Sequence, residues 1–197
     1  MTHALYRAAL ILGLVAVQAQ AEEPEARPPA SNLIDNGGFD RVKAPRNEAE
    51  AWFFYTSKMG TGTVVTNAVG EGTSCLRIRT QSAPGAISGV TQTLPVEQGQ
   101  KFTFTAKLQQ MEDDKLKGSA FGQLVIEWQD FAGKELQRTI SKPWKRNLGR
   151  SDWDEIEIRK VKPPQGAAQA AFGVHLSDGP AGSKGSMLVD DVSVTTQ

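Results

Sequence analysis

The stretch KFTFTAKLQ, Lys101 to Gln109, sets Phe102, Phe104, Ala106 and Leu108 on one parity and Thr103, Thr105, Lys107 and Gln109 on the other. Side chains of an extended chain point to opposite faces in turn, so this period of two predicts a half-buried β-strand. The same alternation continues outward from it. Leu124, Ile126 and Trp128 alternate with Val125, Glu127 and Gln129. Ile156 and Ile158, then Phe172, Val174 and Leu176, then Leu188, Asp190, Val192 and Val194 repeat the pattern. Shorter strands are predicted over Thr63 to Thr66, Leu76 to Thr80 and Val90 to Leu94. Turn-forming residues separate the runs at Asn67 to Gly72, Pro84-Gly85, Glu97 to Gly99, Ala132-Gly133, Pro163 to Gly166 and Ser177 to Gly185. Many short strands with no amphipathic helix predict an all-β fold, an antiparallel β-sandwich.

The N-terminal end is of another kind. Arg7 precedes the apolar run AALILGLVAV, and Ala19-Gln20-Ala21 supplies a small-x-small cleavage pattern, so residues 1–21 are expected to be a secretory signal peptide. The run, about ten residues, is half the roughly twenty that a membrane-spanning helix needs. EEPEARPPAS, Glu22 to Ser31, is charged and proline-rich and has almost nothing to bury, as expected of a disordered leader. Residues 32–197 remain as one domain, with an exported location, periplasmic or secreted.

Lys and Arg total 22, as do Asp and Glu, so overall charge recommends neither nucleic acid nor an anionic membrane as partner. Cys75 is the single cysteine, so no intrachain disulfide can form; a small buried thiol and a reactive one are the two readings of it.

In order along the chain, NLIDNGGFD with Trp52, CLRIRT, TQTLPVEQGQKFTFTAKLQ, IEWQDFAGKEL, WDEIEI, VKPPQGAAQAAFGVHL and LVDDVSV together resemble carbohydrate-binding modules of the cellulase C type. The likeness spans Asn32 to Thr195. It implies a jelly roll of the galactose-binding-like kind, a structural calcium, and a concave sheet that binds glycans. It also implies a module that is chiefly non-catalytic.

Asp190 shares strand parity with Leu188, Val192 and Val194, which directs its carboxylate toward the core side, where an unpaired charge is costly. Asp40, past the Gly37-Gly38 corner, supplies a second carboxylate, and carbonyls freed at Asn36-Gly37-Gly38 supply further hard oxygens of the kind calcium takes. NGGFD and VDDVSV are therefore expected to meet at one edge, with Asp40 and Asp190 as ligands of a structural Ca2+. The family often has Glu where this chain has Asp40. An Asp190 held by backbone amides or arginine is the alternative.

By parity Lys107, Gln109, Glu127, Gln129 and His175 point away from the core, on strands that the resemblance places in one concave sheet. Amides, a carboxylate and an imidazole can pair with sugar hydroxyls, although a solvated outer face would look the same. Glycan binding also needs flat aromatic surfaces. Trp128 faces the core, and Trp52 and Trp153 match packing positions of the family. Trp144, in the polar loop KPWKRNLGR, is either an exposed platform or a loop anchor, and Tyr55 is a second platform candidate. Lys142, Lys145, Arg146 and Arg150 around Trp144 would suit an acidic glycan, or simply water.

No zincin histidine pair, Gly-x-Ser-x-Gly elbow or phosphate loop occurs, and His175 is the one histidine past the leader. Glu127 with Asp130 or Asp154 can be imagined as a glycosidase pair, but any acidic protein offers such pairs. The expected ligand is thus a neutral or acidic carbohydrate, bound without catalysis. A structural sandwich that contacts a protein partner and no sugar is the alternative, and a small glycan hydrolase stands third.

Overall fold

The computed structural model describes residues 31–43, 48–57, 65–67, 74–145 and 152–197. The expected signal peptide, all of the leader but Ser31, most of the Asn67 to Gly72 turn, and Arg146 and Arg150 lie outside them. Fourteen strands form among these residues, and no helix: β1 Val42–Lys43, β2 Glu48–Ala49, β3 Phe53–Thr56, β4 Val65–Asn67, β5 Cys75–Arg79, β6 Ile87–Pro95, β7 Phe102–Gln110, β8 Lys117–Gly118, β9 Phe121–Gln129, β10 Glu135–Ile140, β11 Asp154–Val161, β12 Gln169–Ser177, β13 Ser183–Lys184 and β14 Ser186–Thr196.

Two antiparallel five-stranded sheets pack face to face as a jelly-roll sandwich. The front sheet has the order β10-β9-β12-β6-β3 and the back sheet β11-β7-β14-β5-β4. The alternation in β7, β9 and β12 fixes the register, because a slip of one residue would turn each apolar row out to water. The core lies between the sheets. Phe102 and Phe104 from the back sheet meet Trp128 and Phe172 from the front, with ring centroids 5.5 to 5.9 Å apart, and Trp128 meets Phe172 edge to face at 6.4 Å. Each such pair adds about 0.5–1.5 kcal/mol beyond the area it buries.

The alternation breaks in β14. Asp190 opposes Lys107, yet the next paired residue on that strand is Ser193, opposite Thr105. Asp191 takes a left-handed backbone conformation, φ 47°, which marks a β-bulge. The bulge shifts parity. Met187 and Val189 face the core before it and Val192 and Val194 after it, so Leu188 and Asp190 lie on the outer side of the back sheet. The expectation that Asp190 points with Val192 and Val194 is corrected accordingly.

Where β5 stops pairing with β14, the N-terminal segment takes its place. Leu33 N–H donates to the Val194 carbonyl at 2.8 Å, and Val192 N–H to that of Gly37 at 3.0 Å. The Asn32 amide completes the seam, donating to the Val192 carbonyl and accepting from Ile34 and Val194 N–H. NGGFD and VDDVSV do meet at one edge. Gly37 is required there, since a β-carbon would fall 2.1 Å from the Val192 carbonyl oxygen.

Candidate functional site

The outer face of the front sheet carries a shallow groove of about 220 Å³, lined by Phe53, Tyr55, Thr91, Val125, Glu127, Ala171 and Gly173. Strand register explains it. One row across the sheet runs Ile140, Val125, Gly173, Thr91, Phe53, and the next runs Gln123, His175, Gly89, Tyr55. Small residues at 89, 171 and 173 leave the middle of the sheet low. Phe53 and Tyr55, two positions apart on β3, form one wall, and Glu127 stands on the other side.

Phe53 is 68% exposed, and Ile140 55%. A ring left so open on a folded surface is a ready apolar platform.

Tyr55 crosses over Gly89, and its hydroxyl reaches 3.3 Å from His175 Nδ1. His175 Nε2 lies 3.3 Å from Gln123 Oε1, while Gln123 Nε2 donates to the Ser141 carbonyl at 2.8 Å. That last bond orients the amide. His175 Nε2 therefore carries the proton, and Tyr55 donates to Nδ1. Burial first, then the positive charge of Arg138, pushes the His175 pKa down to about 4, so the ring is neutral at ordinary pH. Burial, with the Glu127 charge behind it, drives the Tyr55 hydroxyl well above its usual range, and it stays protonated. Glu127 accepts from Arg138 at 2.7 Å, and the same guanidinium holds Glu135.

The other expected residues are dispersed. Lys107 and Gln109 are on β7, in the back sheet, so they share no face with Glu127, Gln129 and His175, and the expectation of one concave row is corrected. Lys107 pairs with Asp191 at 2.6 Å, a bond that raises its pKa. Gln129 does lie on the front sheet, where it accepts from Gln169 at 3.2 Å. Asp130 caps its own turn by accepting from Ala132 and Lys134 N–H, and Asp154 lies on β11 of the back sheet, so neither partners Glu127.

Trp144 is an anchor and not a platform. It is 7% exposed and belongs to the core cluster. Gly122 opens the slot, since a β-carbon there would fall 2.4 Å from Met187 Sδ and 3.2 Å from Trp144 Cε3. Backbone bonds pair Trp144 with Gly122, and its indole N–H donates to Asp154 Oδ2 at 2.8 Å. The polar sequence around Trp144 hides this, because the partner that makes room for it lies 22 residues earlier. Phe53, Thr91, Ala171 and Gly173, by contrast, do not stand out in the sequence. The pattern that could have found Phe53 is its shared parity with Tyr55.

Asp40 and Asp190 do converge. Asp40 Oδ2 and Asp190 Oδ1 lie 3.5 and 3.9 Å from the point a β-carbon on Gly38 would take. Partial burial, with the nearby charges of Asp191 and Asp40, pushes the Asp190 pKa up to about 6. Two carboxylates on a side-chain-free corner suit calcium in kind. Among the described residues, however, no group of three or more His, Cys, Asp and Glu side chains could hold a metal. The carbonyls of Asn36 and Gly37, expected to be free, already accept from Phe39, Trp52 and Val192.

No family model matches the chain. No curated protein sequence matches it either. Among solved structures it resembles tailspike protein 4 of Bacteriophage CBA120 at 15% identity and TM-score 0.58, over 84% of this chain and 21% of that one. The chain thus spans about a fifth of the tailspike domain's length. It resembles TmCBM61, a carbohydrate-binding module solved in complex with β-1,4-galactotriose, at 16% identity and TM-score 0.52, over 85% of this chain and 100% of that one. It resembles the Stig cyclase Fisc from Fischerella sp. TAU at 15% identity and TM-score 0.56, over 85% and 98%. At such identity the likeness is one of fold, and one fold serves both binding modules and enzymes.

Proposed function

We propose that this protein is an exported, non-catalytic carbohydrate-binding module that takes a glycan in the front-sheet groove. The observation that carries this reading is Phe53, an open aromatic ring beside a floor of small residues and within the same groove as Tyr55 and Glu127. A sugar presents an apolar C–H face for such a ring and hydroxyls for such polar groups. The fold shared with TmCBM61 adds support. Glu127 is held by Arg138, an arrangement for orientation more than for proton transfer. Calorimetric titration with a panel of oligosaccharides tests the reading: saturable heat that Phe53→Ala weakens supports it, and no heat with any member rejects it.

The Asp40 and Asp190 carboxylates are the proposed holders of a structural calcium at the seam of the chain ends, which would offset their mutual repulsion. A thermal midpoint that falls in chelator and recovers with calcium supports this, and an unchanged midpoint rejects it.

A second reading, a sandwich that contacts a protein partner, rests on the apolar side chains of the β9–β10 hairpin, where Phe131 is 95% and Leu136 43% exposed. Binding of a protein partner lost in Phe131→Ser, together with silent sugar titrations, would favour it.

A further inference from the structure

Resting on the glycan reading above, we propose that the groove recognises its ligand through hydrogen-bond donors alone, prefers an amino sugar to a neutral one, and excludes uronates, with Glu127 as the residue that sets this specificity. Three lining side chains are polar, and each presents only acceptors. The Tyr55 hydroxyl proton is committed to His175, a direction enforced through Gln123 and the Ser141 carbonyl. Thr91 Oγ1 commits its proton to the Phe172 carbonyl at 3.2 Å. Glu127, a carboxylate paired with Arg138, accepts and has none to give. Phe53, Val125, Ala171 and Gly173 contribute no side-chain polar atom. Lone pairs are what remain for a ligand.

Charge points the same way. Arg138 Nη2 lies 2.7 Å from a carboxylate oxygen of Glu127 and 2.7 Å from one of Glu135, so two carboxylates share one guanidinium and the cluster keeps a negative charge. A carboxylate or sulfate on the ligand would meet acceptors without a donor and a field of its own sign. Hydroxyls find partners, and an ammonium finds both partners and an opposite charge, with two aromatic rings beside it.

Calorimetry with matched trisaccharides of hexosamine, hexose and hexuronate, in low salt, tests the proposal. The expected order is hexosamine over hexose by about tenfold, with hexuronate silent. Glu127→Gln should bring the three within about threefold of one another. Glu135→Gln, which touches no groove atom and frees Arg138 to neutralise Glu127, should narrow the range in the same direction. Phe53→Ala should weaken hexosamine and hexose together and leave their ratio unchanged. Hexuronate binding as well as hexose, or a range that Glu127→Gln leaves intact, would overturn this inference while leaving the glycan reading standing. Silence with all three sugars would overturn both.

Discussion

The hydroxyl of Tyr55 on β3 reaches Nδ1 of His175 on β12 across the intervening strand β6, at 3.3 Å. The residue it passes over is Gly89, paired with Tyr55 on one side and His175 on the other. A β-carbon at 89 would fall 2.7 Å from His175 Cβ, 2.8 Å from the Tyr55 hydroxyl and 2.8 Å from the Val174 carbonyl. Gly89→Ala is therefore expected to cost about 1–3 kcal/mol through forced displacement of the strand and its neighbours. Denaturant titration reads the stability, and the same variant should bind glycan more weakly, because it dislodges one groove wall.

The His175 contact also sets a pH dependence. Its folded pKa, about 4, lies below the ordinary 6.5, so as pH falls the unfolded chain takes up the proton first. Stability from this source is whole above 6.5 and is lost progressively toward 4, by on the order of 3 kcal/mol. Protonation at Nδ1 also removes the acceptor that Tyr55 uses. Unfolding midpoints measured from pH 7 to pH 4 should fall less steeply in His175→Gln than in the native protein. Equal slopes would show that His175 does not titrate in this way.

Trp144→Ala separates a packing role from a binding one. The ring is buried and its indole N–H is bonded to Asp154, so truncation is expected to cost about 3–5 kcal/mol. Glycan affinity of the fraction that remains folded should be unchanged, since Trp144 does not line the groove. Thermal unfolding and titration of one preparation check both.

Much of the fold was legible because period two survives in β7, β9 and β12, each of which runs for nine residues. The seam was legible too: NGGFD and VDDVSV meet as the motifs suggested. Parity counting misplaces Asp190 because it assumes an unbroken strand, and the bulge at Asp191 inserts one residue. For Lys107 the sequence misleads for another reason. Alternation tells which side chains face outward, but two sheets each have an outside, and only pairing partners separated far along the chain decide between them. Phe53 is hard to single out because β3 is four residues long, too short for its alternation to stand out.

The Asn32 side chain ties the chain ends through three hydrogen bonds, one donated and two accepted. Asn32→Ala leaves those backbone groups short of partners and is expected to cost about 2 kcal/mol. Hydrogen exchange should then quicken at Val194 ahead of the core strands.

The proposed glycan site is the front-sheet groove and not the back sheet. Affinity electrophoresis of the protein through gels containing neutral polysaccharides tests it most directly, with Phe53→Ala and Lys107→Ala run beside it. The expected result is retardation that Phe53→Ala loses and Lys107→Ala keeps. Retardation kept in Phe53→Ala and lost in Lys107→Ala would place binding on the opposite sheet and contradict it.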